Sequence, residues 1–166
     1  MLVIDRETVH ERLTYDLCIP LVRKAMIALS RGETRQLLRS IIPLGGGHAF
    51  GIMPGALGER AAFGAKLISV FPDNFEKGVQ SHQGVVVLFD GESGAVACVV
   101  HAGEVTAIRT AAASAAATDA LARVDATRLA ILGYGEQAET HARAIAHVRR
   151  LASLEVWGRS LERADA

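Results

Sequence analysis

Cysteine is scarce in this chain. There are two in 166 residues, Cys18 and Cys98, eighty positions apart and each in an apolar context. Neither a metal-ligand spacing nor a dithiol pair can be built from them, so disulfide scaffolds, zinc modules and thiol redox chemistry drop out, and two buried, reduced thiols are expected. Excess charge is absent as well: 18 Lys and Arg balance 18 Asp and Glu, and the pI is about 7.0. The basic residues are dispersed, with no stripe of the kind that marks a nucleic-acid partner. No apolar run reaches the roughly 18 residues needed to cross a bilayer, so no membrane partner is indicated. Met1-Leu2-Val3-Ile4-Asp5 meets an acid too early for a secretory signal, and a cytoplasmic protein is the expectation. Apolar content is plentiful, at 50% hydrophobic residues and a mean hydropathy of +0.24, enough for a substantial core in one or two domains.

The chain opens with a short strand at Leu2-Val3-Ile4. Asp5 suits the cap of a short helix through Arg12, and Thr14 the cap of a longer one running to Arg31 with Gly32 as its stop. Leu17, Leu21, Val22, Ala25, Met26 and Leu29 recur there at helical spacing, with Pro20 in the second turn as a source of bending. The period then falls to two. Strands are expected at Leu37–Leu44 with Arg39 inside it, at His48–Met53 after the glycines 45–47, at Ala61–Phe71 carrying Lys66, and at Gly84–Asp90 and Ala95–His101 around a Gly91-Glu92-Ser93-Gly94 hairpin turn. This predicts an antiparallel meander of four to five strands packed on the N-terminal helix. Alanine, the strongest helix former, dominates the stretch from Glu104 to Arg123. A domain boundary is placed near Val124, dividing the chain into 1–124 and 125–166.

Beyond that boundary lies the most specific local pattern. The apolar run Leu129-Ala130-Ile131-Leu132 leads into Gly133-Tyr134-Gly135-Glu136-Gln137-Ala138; a helical stretch follows to Arg150, then a second apolar run, Leu154-Glu155-Val156-Trp157. Strand, glycine turn, helix and strand make the first βαβ unit of a Rossmann-type dinucleotide-binding fold, and the chain therefore reads as α/β, an α+β N-terminal domain followed by an incomplete Rossmann unit. Gly133 permits the tight turn, Gly135 lets a pyrophosphate approach the backbone, Ala138 lets helix and strand pack closely, and the helix N-terminus offers free N–H groups. Glu136 departs from the bare motif by placing an acid near that pyrophosphate. The second strand ends in Trp157-Gly158-Arg159-Ser160 with no acid for a ribose 2′-hydroxyl. Arg159 and Ser160 suit a 2′-phosphate, so NADP(H) is the preferred cofactor, with NAD(H) the alternative.

Four further patterns carry candidate chemistry. Arg39, if turned inward from a strand, demands an anion, and its planar fork fits a carboxylate; turned outward it is simply solvated. Lys66 is the one charge in an eleven-residue apolar run. On the core side, desolvation equips a lysine for proton transfer, whereas on the outer side it snorkels. Ser81-His82 at a strand mouth can hold a phosphate, a ribose or a substrate, or face solvent as loop residues do. Arg109 and Thr110 are placed near the start of the alanine-rich helix, where N–H groups are free to help grip a phosphate or an acid. A cation there opposes the helix dipole, which favours a functional reason over a plain surface residue.

Taken together these residues resemble the ornithine cyclodeaminase/μ-crystallin family. The resemblance is carried by Leu38-Arg39-Ser40-Ile41-Ile42-Pro43, Gly51-Ile52-Met53-Pro54, Ala65-Lys66-Leu67, Ser81-His82-Gln83, Thr106-Ala107-Ile108-Arg109-Thr110-Ala111-Ala112 and the glycine turn Gly133 to Ala138, in the family's order, from about Met1 to Ser160. It implies a curved-sheet domain for substrate binding and homodimerisation joined to a Rossmann domain, and nicotinamide-dependent imine or amine chemistry on a small imino or amino acid. By position it implies that Arg39, Lys66 and Arg109 serve the substrate, with Lys66 catalytic. Ser81, His82, Arg109, Thr110, the residues Gly133, Tyr134, Gly135, Glu136, Gln137 and Ala138, and the pair Arg159 and Ser160 would then serve the cofactor, with no metal. A ketimine or pyrroline-2-carboxylate reductase is the activity expected. Ornithine cyclodeamination and a non-catalytic, crystallin-like ligand-binding role are the alternatives. Family members extend well past residue 166, into the rest of the Rossmann sheet and a catalytic aspartate, so the 166 residues alone are expected to bind cofactor poorly and to turn over little.

Overall fold

In the computed structural model, residues 1–58, 62–160 and 164 are described. They form two compact units, one of residues 1–12 and 25–105, the other of residues 13–24 and 106–166. The division runs through two continuous helices and falls earlier than a boundary at Val124.

In the first unit, β1 (Leu2–Ile4) pairs in parallel with β7 (Val96–His101), and the sheet continues through β6 (His82–Phe89), β5 (Phe63–Val70) and β4 (His48–Leu57), all antiparallel. The expected meander is present. It grows to seven strands because β1 joins at one edge and the other edge is covered twice, by β2 (Thr34–Gln36) and β3 (Ser40–Gly45). Ala61, the expected start of one strand, lies outside the described residues. Helix α1 (Arg6–Arg12) packs on β7 and is capped as anticipated: Thr8 N–H donates to Asp5 Oδ1 at 2.9 Å. Glu104, buried at the start of α3 (Ala102–Leu121), ties α1 down by accepting from Arg6 at 3.1 Å and pairing with His10 at 2.9 Å. Burial pushes its carboxyl up, but the hydrogen bonds from His10 and Arg6 outweigh this and hold it below its ordinary value.

The strand expected across Leu37–Leu44 is broken. Gln36 pairs with Gly55 and Ser40 with Ile52, so the three residues Leu37, Leu38 and Arg39 face only two on β4, Met53 and Pro54. Three against two cannot keep register, and Pro54 brings no N–H to the ladder. Arg39 is therefore in an exposed, bulge-like interruption just ahead of β3, not inside a strand.

The second unit is built around β8 (Arg128–Leu132), α4 (Glu136–Ala146) and β9 (Ser153–Trp157), with β8 and β9 parallel and in register from Arg128–Ser153 to Leu132–Trp157. Helix α4 ends at Ala146, four residues short of Arg150, because His147 takes the cap and the chain turns there. The first half of α2 (Tyr15–Ser30) and most of α3 belong to this unit. Tyr15 donates its hydroxyl to the Thr140 carbonyl at 3.1 Å, Asp16 meets His147 at 3.0 Å, and Asp119 on α3 is shared by Arg23 and Arg149. The alanines do what their size allows: Ala107, Ala111, Ala112, Ala115 and Ala116 form the buried face of α3. Cys18 is buried as expected, and burial pushes its thiol up, with the charge of Arg109 pulling more weakly the other way. Cys98, in β7, is only half-buried, because it lies toward the sheet margin opposite Leu2 of the exposed strand β1.

Candidate functional site

Lys66 occupies the middle of β5, the central region of the sheet, with Met53 of β4 on one side and Val86 of β6 on the other. It is half-buried. Residues opposed across antiparallel strands share a face, and so do residues two apart along one strand. His82, opposite Val70, therefore lies on the Lys66 face, ~13 Å further along β5. Its Nδ1 is 2.9 Å from Ser81 Oγ, which locks the two side chains at the mouth of β6. Arg39 immediately precedes Ser40, whose partner Ile52 adjoins Met53, the residue paired with Lys66. The bulge thus brings the Arg39 backbone to the strand neighbouring Lys66.

Two glycines bracket Lys66. A Cβ built at Gly64, two residues before it, would overlap the Val87 carbonyl oxygen; one built at Gly84, opposite Ile68 and hence two residues after it, would overlap the Leu67 carbonyl oxygen. The strands approach so closely at both places that no side chain fits. Lys66 is thus carried on a stretch of backbone whose spacing is fixed at both ends.

The second unit holds the other candidates. Arg109 is the eighth residue of α3, which begins at Ala102, so the expectation of free N–H groups beside it does not hold. The helix starts two residues before Glu104 because it follows directly on the end of β7. Arg109 is exposed. The Thr110 hydroxyl is buried with no hydrogen-bond partner among the described residues, a requirement that costs about 1–3 kcal/mol until something meets it.

The glycine turn is formed as expected. Gly133 has φ +121°, a conformation that favours glycine, and Gly133 N–H donates to the Trp157 carbonyl at 2.7 Å, joining the turn to the end of β9. Gly135 is the N-cap of α4 and supplies no side-chain cap. A Cβ at Gly133 or Gly135 would meet nothing within 4 Å, so the backbone of the turn is open to a ligand. A hollow of about 420 Å³ adjoins it, lined by Gly133, Gly135, Gln137, Ala138 and His141 together with β8. An uncapped helix N-terminus behind two accessible glycines fits a dinucleotide pyrophosphate. The first helical turn also carries Glu136 and Glu139; the latter is paired with Arg143 at 2.8 Å.

At the end of β9, Arg159 is exposed and Ser160 half-buried. The acid within this strand, Glu155, is held by Arg128 at 2.8 Å and belongs to the β8–β9 pairing. One contact at this end has no counterpart in the motif reading: the Tyr134 ring lies against Gly158, where a Cβ would overlap ring carbons Cδ1 and Cε1. The sequence signal was a glycine directly after the strand and an aromatic residue between the two turn glycines.

The comparisons agree with this layout. The family model described as the ornithine cyclodeaminase/mu-crystallin family matches residues 1–166. Ketimine reductase mu-crystallin of Mus musculus is 31% identical over 167 residues, covering 98% of this chain and 53% of its own length. A Delta(1)-pyrroline-2-carboxylate reductase of Bacillus cereus is 36% identical over 135 residues, covering 77% of this chain and 42% of its own. The solved Delta(1)-pyrroline-2-carboxylate reductase of Thermococcus litoralis, in complex with NADH and L-proline, superposes with a TM-score of 0.93 at 31% identity, over 99% of this chain and 51% of that one. The chain spans about half the length of the curated relatives it matches. With a seven-stranded sheet carrying Lys66, a βαβ unit with an open glycine turn, and a family match along its whole length, the chain belongs to the ornithine cyclodeaminase/mu-crystallin family.

Proposed function

We propose that the protein is an NAD(P)H-dependent reductase of a small cyclic imino acid. The observation that carries this reading is the half-buried Lys66 at mid-sheet, in a chain whose relatives include ketimine and pyrroline-2-carboxylate reductases. The nicotinamide, when bound, supplies a hydride to the imine carbon. Lys66 handles the proton at the imine nitrogen, and Arg39 and Arg109 bind the substrate carboxylate through their planar guanidinium forks. Ser81, His82, Arg109, Thr110 and the Gly133–Ala138 turn serve the cofactor; the unmet Thr110 hydroxyl and the open turn support that assignment. In functional terms residues 1–124 form the substrate and dimerisation part, and 125–166 the beginning of the cofactor part.

NADP(H) is the preferred cofactor in this reading, because Arg159 and Ser160 follow β9 while the acid of that strand is held by Arg128. Titration of the full-length protein should show tighter binding of NADPH than of NADH; equal affinities would overturn the preference. Assay of the full-length protein with NADPH against cyclic ketimine acids and ornithine should show oxidation of NADPH that depends on the ketimine. Ammonia release from ornithine without net consumption of NADPH would instead make the protein a cyclodeaminase, and no turnover of either would leave a ligand-binding role.

A homodimer through the first unit is part of the same reading. It is supported by the outer strand β3, which is exposed throughout and leaves Ile41 57%, Ile42 52% and Leu44 52% accessible, beside Leu38 at 94%. An uncovered apolar edge strand of this kind is a pairing surface. Sedimentation velocity should report twice the chain mass, and a monomer at micromolar concentration would overturn it.

A further inference from the structure

The connection from β5 to β6 runs over residues 71–81, through a short 3₁₀ helix at Pro72–Lys77, and ends at Ser81 and His82. Its two ends are joined. Phe71 N–H donates to the Ser81 carbonyl at 2.8 Å, one step beyond the Val70–His82 pair. Within it, Asn74 N–H donates to the Phe71 carbonyl at 3.1 Å, and Val79 N–H to the Asn74 carbonyl at 3.0 Å. The Asn74 side chain donates to the Gln80 carbonyl at 3.5 Å. The result is a closed loop with Phe71 at its entry and Ser81 at its exit.

A residue from another strand grips the entry. His48 begins β4, and its neighbour Ala49 pairs with Val70, so His48 stands beside Phe71. The two rings stack with centroids 4.1 Å apart and planes 21° from parallel. His48 Nε2 donates to Asp73 Oδ1 at 2.8 Å; a carboxylate only accepts, so this nitrogen carries the proton. That bond is the main cause holding the Asp73 carboxyl below its ordinary value, and Lys77 meets the other oxygen at 3.6 Å. An ion pair at an exposed acid contributes little by itself. Here the same half-buried imidazole is also stacked, so one side chain holds two residues of the loop entry. A single hydrogen bond then separates the gripped Phe71 from Ser81.

We propose that His48 is a positioning residue for the cofactor: by clamping Phe71 and Asp73 it sets, through the Phe71–Ser81 bond, where Ser81 and His82 stand. The proposal rests on the reading of Ser81 and His82 as cofactor contacts given above. His48 is five residues before Met53, the partner of Lys66, and so falls on the opposite face in the strand alternation. The effect of His48 therefore belongs to cofactor affinity and not to the proton handled at Lys66.

The test uses the full-length protein, with affinities for NADPH and NADH from calorimetry and steady-state kinetics on a cyclic ketimine acid. His48→Ala should weaken binding of both dinucleotides about tenfold, because binding then has to order the loop as well. The loss should appear in the KM for the dinucleotide, with kcat at saturating dinucleotide within about twofold of native. His48→Gln, whose amide can still donate to Asp73, should recover part of the affinity. His48→Phe, which keeps the stack without the donor, should recover another part. If His48→Ala does not fold, these two variants carry the same split at smaller size. In a Ser81→Ala/His82→Ala background His48→Ala should cost nothing further, because no contact is left to position. Unchanged affinity in His48→Ala overturns the proposal. So does a loss that falls equally on kcat, that persists in the Ser81→Ala/His82→Ala background, or that neither His48→Gln nor His48→Phe recovers; each marks a merely structural histidine. A Ser81→Ala/His82→Ala protein that binds both dinucleotides as the native protein does refutes the cofactor reading of those two residues, and the proposal falls with it.

Discussion

Replacing Arg149 with methionine is expected to destabilise the second unit by about 3 kcal/mol, read as a lower urea midpoint at unchanged slope. Arg149 follows α4, and its side chain is 8% exposed. From there the guanidinium closes the C-terminal end of α3: it donates to the carbonyls of Thr118 at 3.0 Å, Asp119 at 3.2 Å, Ala122 at 3.1 Å and Arg123 at 3.3 Å, and to Asp119 Oδ1 at 3.0 Å. The last carbonyls of a helix have no partner within the helix and carry its negative dipole end, so one buried cation meets several acceptors at once. Methionine keeps the stem and removes the donors. Lysine should recover only a small part, because a point charge with three donors cannot reproduce the planar fork. Hydrogen bonds from Arg23 and then Arg149 hold the Asp119 carboxyl below its ordinary value of 3.8. A carboxylate with a lowered folded value stabilises fully above its unfolded value, and the effect is lost as pH falls through the folded one. The difference between native protein and Arg149→Met should therefore narrow below pH 3.8. A midpoint unmoved by Arg149→Met would show that water satisfies the α3 carbonyls equally well.

The contrast between this arginine and the glycine turn shows what local sequence carries. Strand, turn, helix and strand over residues 128–157 were legible because each element announces itself: apolar runs, two glycines with a residue between them, and a helical period. The caps at Asp5 and Thr14 were legible for the same reason, since a side-chain acceptor three residues before an N–H is a local event. Arg149 looks in sequence like one of a pair of basic residues after a helix; its role depends on carbonyls about thirty residues away. The break at Leu37–Arg39 was equally hidden, because it is a mismatch of three residues against two on a different strand. β1 joining the sheet edge in parallel is likewise a matter of tertiary neighbours, not of Leu2-Val3-Ile4 itself. The depth of Arg109 in its helix is hidden too: alanine richness marks the helix, but its first residue is set by the end of β7 at His101. Of the candidate site, the residue types and the motif order were readable, whereas the glycine-bracketed setting of Lys66 and the Tyr134–Gly158 contact were not.

In the full-length protein, Lys66→Met is expected to lower turnover of a cyclic imino acid by about 10²- to 10⁴-fold, the usual range for losing a proton-handling group, while the sheet stays folded. The fold should survive because the methionine stem covers the same apolar surface between Met53 and Val86 that the lysine stem covers now. That substitution alone cannot separate a proton donor from a cation that merely holds the carboxylate. Lys66→Arg can. Arginine keeps the positive charge and the capacity to grip a carboxylate, but it does not give up its proton near neutral pH. If Lys66 handles the proton, Lys66→Arg should bind substrate within a few-fold of the native protein and still lose about 10²-fold or more in kcat. If Lys66 only anchors the carboxylate, Lys66→Arg should keep kcat and Lys66→Met should act on KM. The geometry favours the first outcome. Close backbone approach at Gly64 and Gly84, where a Cβ would overlap a neighbouring carbonyl oxygen, fixes the strand on either side of Lys66, which is the setting a group needs when a displacement of about 1 Å costs two orders of magnitude in rate.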